Sequence, residues 1–203
     1  MFTYEKENNK NKLETYEWDN VWWEKATTEN AARVLYIGDS ISCGTRGAAN
    51  KLADGKWLFD GFGTSKAVDN PYLKESVALF AKQQGERKIV IVNNGLHGWH
   101  LSEEEYEKYY SDFIKFLLEE FKKTPVALVL TTRVADSERQ ARVKKRNEVA
   151  EKIAKNFKLP VIDIFETSEK YAELQCDDGV HYTQEGYEKF ASVIIRRIEE
   201  ICE

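Results

Sequence analysis

The sequence predicts an α/β fold, a three-layer α/β/α sandwich around a mostly parallel sheet of about five strands. Three observations predict it. Short apolar runs, Arg33 to Ile37, Lys88 to Val92, Val126 to Leu130 and Pro160 to Ile164, alternate with longer stretches whose apolar residues recur at helical spacing. Two of these runs, the first and the second, stop abruptly at glycine and small polar residues, which is how such folds lift side chains out of the sheet into a crevice. The length, 203 residues, suits one hydrophobic core.

The chain opens with residues 1 to 12, rich in Asn, Lys and Glu, and a flexible arm is expected over residues 1–15, followed by a single domain over 16–203. Trp18, Trp22 and Trp23 follow within six residues. That is too much apolar surface to leave in water, so the segment is expected to pack on the body or line a site, core packing being the favoured outcome. The Arg33 to Ile37 strand leads to a long glycine-containing connection interrupted by Lys56-Trp57-Leu58-Phe59, a short candidate strand. Asn70-Pro71 reads as a helix cap with proline at the first helical position, the helix running to about Gln84. After the Lys88 to Val92 strand, Ser102 and Glu105 have capping-box spacing and open a covering helix through Tyr106, Tyr110, Phe113 and Leu117. Ser137 with Gln140 repeats that spacing before a helix to about Phe157, and a last helix is expected from about Gln184 to Ile201. Alternating strands and helices imply right-handed crossovers, so the ends of the strands at Ser40, Asn94 and Arg133 should share one edge of the sheet.

Composition excludes several classes. A net charge of −5 argues against a phosphate-backbone binder, so no nucleic-acid partner is expected. No apolar run reaches membrane-spanning length, and the amino-terminal stretch has no apolar signal core, so no membrane partner and a cytoplasmic location are expected. Cys43, Cys176 and Cys202 are odd in number and read as reduced thiols. His97 and His100 lie three apart without an accompanying carboxylate or cysteine cluster, and neither a metal nor another cofactor is expected.

Ser40, lifted from its strand by Gly38-Asp39, is a candidate nucleophile. A serine hydroxyl needs a base within hydrogen-bond reach, and the chain holds three histidines, His97, His100 and His181. His181 follows Asp178 by three residues, a spacing that lets a carboxylate fold back on one ring nitrogen and leave the other facing Ser40; Asp177 is close enough to serve instead. An acyl-transfer site also needs donors for an oxyanion. The backbone N–H of Ser40 is one candidate, Gly63 a second, and a side chain among Asn93, Asn94 and His97 a third. Arg46, Trp99, His100, Arg133 and Tyr182 lie beside these residues in sequence and are candidate substrate contacts.

Gly38-Asp39-Ser40-Ile41-Ser42 near the start and Asp178-Gly179-Val180-His181 near the end resemble the first and last blocks of the SGNH, or GDSL-type, hydrolases, in the same order, and the similarity spans about Tyr16 to Ile198. The resemblance implies a flavodoxin-like α/β/α sandwich, an esterase or lipase activity, Ser40 as nucleophile, His181 as base and Asp178 as the group that orients it. It also implies oxyanion donors from Ser40, a block-two glycine and a block-three asparagine. Block three departs: where the family usually has Gly-x-Asn-Asp, this chain has Gly95-Leu96-His97-Gly98. A branch with Asn-x-Gly-Leu-His is closer, leaving His97, Asn93 and Asn94 as alternatives. The implied substrate is a small ester with a short acyl group, an acetylated sugar among the candidates. A noncatalytic carbohydrate- or ligand-binding protein on the same sandwich is the competing reading.

Overall fold

The computed structural model describes residues 12–83 and 85–203. The sheet has six strands: β1 (Asp19–Trp22), β2 (Arg33–Gly38), β3 (Leu58–Thr64), β4 (Ile89–Val92), β5 (Val126–Val129) and β6 (Val161–Ile162), in the order β1-β3-β2-β4-β5-β6. All neighbours pair in parallel except β1, which runs antiparallel to β3 with Asp19 opposite Thr64. The helices are α1 (Ser40–Ala53), α2 (Leu73–Lys82), α3 (Glu103–Glu120), α4 (Ser137–Phe157), the short α5 (Phe165–Lys170) and α6 (Gln184–Cys202).

The period-two alternation of strand side chains builds two cores, one on each face. Val34 and Tyr36 of β2 point to the face covered by α1 and α6, where they meet Ile41, Ala48, Phe190 and Ile194. Leu35 and Ile37 point to the face covered by α2, α3 and α4, among Val77, Tyr110, Leu117 and Ile153. Each fully buried Val, Leu or Ile contributes about 1.5–3 kcal/mol. Packing between α1 and α6 is close: a Cβ on Gly44 would lie 2.4 Å from the Tyr187 ring.

Several elements differ from expectation. The tryptophan segment is not packed inside; it forms the antiparallel edge strand β1, with Val21 and Trp22 half exposed. Backbone pairing with β3 holds it, helped by Trp22 over the Arg46 guanidinium at 5.7 Å and Trp23 beside Phe80 at 5.8 Å. It raises the count from about five strands to six. Asn70 does not cap α2: its Oδ1 accepts from Tyr72 N–H at 2.9 Å, closing a turn, and the helix proper begins at Leu73. That helix ends at Lys82, and Gln84 lies outside the described residues. The α4 cap is Asp136, which accepts from Arg139 N–H, while the Gln140 side chain takes Val134 N–H. The Ser102–Glu105 capping box is present in both halves. Of the stretch expected to form an arm, residues 1–11 lie outside the described residues, and Glu14 in the remainder sits against the strand-end loops. No helix among the described residues is long and apolar enough to cross a membrane.

Candidate active site

Ser40 is the first residue of α1, with only Asp39 between it and the last residue of β2. Asp39 makes so abrupt a turn possible: it is extended, and its Oδ1 accepts from Ile41 N–H at 2.9 Å, capping the helix. The Ser40 N–H is therefore a first-turn donor with no intrahelical acceptor. From the other end of the chain, the loop before α6 brings His181 to meet it. Ser40 Oγ–H donates to His181 Nε2 at 2.7 Å, and His181 Nδ1–H donates to Asp178 Oδ2 at 2.8 Å. The second carboxylate oxygen of Asp178 accepts the backbone N–H of Val180 at 2.9 Å and of His181 at 2.8 Å. Gly179 makes this turn at φ +72°, a left-handed conformation that side chains rarely adopt, and its carbonyl accepts from Ala135 N–H. Partial burial raises the Asp178 carboxyl, but these hydrogen bonds outweigh it and hold the group below the usual carboxylate range. Asp178, not Asp177, is therefore the carboxylate placed against the ring.

Asp39 behaves oppositely. It is 1% exposed, and burial pushes its carboxyl up against the pull of His97, the Ile41 N–H and His181. Burial likewise pushes the Cys43 thiol up, which keeps it protonated near neutral pH.

A narrow cleft beside Ser40 is lined by Leu96, His97, Trp99, Val134, Arg139 and Val180. Its volume is about 10 Å³, room for one small group. A larger concavity of about 880 Å³ lies at the opposite edge of the sheet, bordered by Asn30, Arg33, Glu86 and Lys123. It holds no serine or histidine, and the Arg33 guanidinium there is tied to Asp60 at 2.9 Å.

The other predicted site residues divide sharply. His97 and Trp99 line the cleft. Asn93 does not reach it as a donor: its amide gives hydrogen bonds to Val129 O at 3.0 Å and Thr131 Oγ1 at 3.2 Å, which spend both N–H groups on the β5 end. Asn94 Nδ2 donates to Lys66 O at 3.0 Å. Gly63 stands inside β3, opposite Asn20 on one side and Gly38 on the other, and a Cβ there would lie 2.3 Å from Cys43 Sγ. The close approach that this glycine permits is thus to a helix side chain.

Arg46 lies about 9 Å further along α1 than Ser40, and its Nη2 donates to Asn20 Oδ1 at 3.1 Å, binding the helix to β1 rather than facing the cleft. Arg133 donates to Gln175 Oε1 at 2.7 Å, and its carbonyl accepts from Gln175 and from the Tyr182 hydroxyl. Tyr182 itself is 3% exposed and packs edge-on against Phe190. His100 pairs with the buried Asp69 at 2.9 Å. These four are structural anchors: their neighbours in the fold, unlike their neighbours in sequence, are loop and core groups. Among the described residues no cluster of three or more His, Cys, Asp or Glu is arranged for a metal ion.

Arg146 went unnoticed in the sequence and organises the loop that carries His97. It is fully buried, donates to the carbonyls of Gly95, His97 and Gly98 at 2.9, 2.6 and 2.7 Å, and lies between the Trp99 and Tyr106 rings. Burial lowers its pKa to about 10, which leaves it charged near neutral pH. A signal did exist: Arg146 falls in phase with the buried stripe Val143, Ala150, Ile153 and Ala154 of a helix otherwise crowded with surface charge.

No family model matches the sequence, and no curated protein does. Solved structures do match the fold. A lipase/acylhydrolase from Enterococcus faecalis superposes with a TM-score of 0.64 at 20% identity, over 84% of this chain and 96% of that one. The C-terminal catalytic domain of peptidoglycan O-acetyltransferase A from Streptococcus pneumoniae gives 0.66 at 18% identity, over 84% and 94%. A catalytic mutant of Axe2, an acetylxylan esterase from Geobacillus stearothermophilus, gives 0.61 at 12% identity, over 84% and 96%. The fold is that of the SGNH, or GDSL-type, hydrolases. Within that class, the neighbours span lipase/acylhydrolase, acetylxylan esterase and O-acetyltransferase.

Proposed function

We propose that this protein is a serine esterase that removes short acyl groups, acetate foremost, from small polar alcohols such as sugars. The single observation that supports the reading most is the hydrogen-bonded line Ser40–His181–Asp178, which joins groups 141 positions apart through contacts of 2.7 and 2.8 Å. A binding protein that merely held a ligand would gain nothing from a base poised on a serine hydroxyl.

In this reading Ser40 Oγ attacks the ester carbonyl carbon as its proton passes to His181 Nε2. The carbonyl electrons move to oxygen, and the oxyanion is met by Ser40 N–H and a ring N–H of His97, the block-three candidate that lines the cleft. Collapse of the tetrahedral intermediate expels the alcohol, which takes the proton from His181. Water, deprotonated by His181, then attacks the acyl-serine and releases the acid. The cleft favours a small acyl group because Leu96, Val134 and Val180 leave so little room. Acetylxylan esterase and peptidoglycan O-acetyltransferase neighbours support an acetylated saccharide as the ester.

The test is hydrolysis of 4-nitrophenyl acetate and of peracetylated sugars by wild type and Ser40→Ala. The expected loss is at least about 10³-fold in kcat. Equal rates above the uncatalysed background would overturn the assignment of Ser40.

A further inference from the structure

Glu14 has no role in the reaction above, yet its carboxylate is delivered to the loop that carries His97. The segment from Glu14 to Trp18 is fastened across two strand-end loops. Ser65 Oγ–H donates to Glu17 Oε2 at 2.8 Å, Asn70 Nδ2 donates to Glu17 Oε1 at 2.9 Å, and Ser65 N–H donates to Trp18 O at 3.1 Å. Glu14 N–H also donates to Glu17 Oε1 at 2.9 Å. This places Glu14 Oε1 at 3.6 Å from His97 Nδ1 and at 3.4 Å from Gly98 N. The two side chains are only 11% and 8% exposed, so their interaction is poorly screened. The Trp18 ring lies edge-on to His97, with ring centroids 6.2 Å apart.

We propose that Glu14 is a positioning residue that holds His97 as an imidazolium, making the side-chain oxyanion donor a cation. The inference rests on the esterase reading and on His97 as that donor. A carboxylate only accepts, so one standing 3.6 Å away, at ion-pair distance, favours a proton on the ring nitrogen that faces it. A neutral ring protonated at Nδ1 has a bare Nε2, whose lone pair would repel an oxyanion. Donation from Nε2 therefore requires both nitrogens protonated. Glu14 from the amino-terminal segment and buried Asp39 from the start of α1 both favour that charged form. Arg146 from α4, bonded to the His97 carbonyl, opposes it, as does His181 across Ser40 when it is charged. A charge-assisted hydrogen bond is roughly twice as strong as a neutral one, which suits His97 to the place where related sequences carry an asparagine.

The experiment compares wild type, Glu14→Gln and Glu14→Asp in two measurements. One is the NMR titration of the histidine rings, readily assigned because the chain has three, by replacing His97, His100 and His181 in turn. The other is the pH profile of kcat and KM on an acetyl ester, with thermal melting to verify that each variant is folded. Glu14→Gln keeps the acceptor for Gly98 N–H and removes the charge. It should lower the His97 midpoint by about one pH unit, move the alkaline limb of kcat down with it, and reduce kcat at pH 8 roughly tenfold with KM within about twofold. Glu14→Asp should recover part of both effects. An unchanged His97 titration in Glu14→Gln overturns the inference, and so does a shifted titration with unchanged kcat. An inactive wild type whose His97 titration still shifts overturns the esterase reading and with it the catalytic purpose of the pair.

Discussion

Replacing Asp178 by Asn probes the proposed base without disturbing the turn that holds it. The carboxylate accepts three hydrogen bonds, from the Val180 and His181 N–H groups on Oδ1 and from His181 Nδ1 on Oδ2. An asparagine oxygen can keep the first two. Its NH2 then lies where Oδ2 stood, 2.8 Å from Nδ1, and being a donor it favours the tautomer with Nδ1 bare and Nε2 protonated. Nε2 can no longer accept from Ser40, so the serine loses its base while every atom stays in place. A wrong tautomer in a triad of this kind costs about 10⁴ in kcat, roughly 5 kcal/mol of transition-state stabilisation. The assay is kcat on 4-nitrophenyl acetate near pH 8 with urea unfolding measured in parallel. Stability should also respond to pH with a definite sign. The Asp178 carboxyl is held below its unfolded value, so it contributes stability above about pH 4 and loses it as pH falls through the folded value. The difference in stability between wild type and Asp178→Asn should therefore be larger at pH 7 than at pH 3. A loss of kcat under tenfold in a folded variant would refute the reasoning.

Three further outcomes are expected. Val134→Ala should enlarge the cleft and raise the rate ratio of butyrate to acetate esters about tenfold, since one or two methylenes in such a site are worth about 1–3 kcal/mol; competition kinetics measures the ratio. Gly63→Ala would bring a methyl to 2.3 Å from Cys43 Sγ and should cost about 1–3 kcal/mol, most of it recovered in the double variant with Cys43→Ala; additive unfolding energies would contradict the proposed contact. Arg146→Met should leave the Gly95, His97 and Gly98 carbonyls without their buried donor, lowering stability by about 3–5 kcal/mol in urea titrations.

The parts of the fold that were legible in the sequence are those where one local pattern decides the outcome. β2 and β4 are buried on both faces and read as unbroken apolar runs, and α3 announces its own start through the Ser102–Glu105 box. The edge strand β1 was not legible, because all four of its side chains are exposed and neither alternation nor an apolar run marks it. It is a strand only because β3 offers it a partner. In the site, Ser40, Asp178 and His181 stood out because their chemistry depends on spacing within a turn. Arg46, Arg133, His100 and Tyr182 turned out to be held by loop and core groups, because sequence proximity to a candidate site residue says nothing about which way a side chain leaves its helix or loop. Glu14 and Arg146 reach the His97 loop from more than 40 positions away, and no local pattern assigns a carboxylate or a guanidinium its distant partner.

If Ser40 and His181 act as proposed, their contact makes activity a late product of synthesis. A nascent chain that stops between β6 and the His181 loop has its nucleophile and all six strands, but it lacks the base, and α1 has no helix to rest against where Tyr187 should cover Gly44. Contacts of such long sequence separation form slowly because the intervening loop must close first. In refolding, esterase activity should return after the far-ultraviolet helix signal and together with the burial of Tyr187, so that turnover itself times the moment at which the two ends of the polypeptide join.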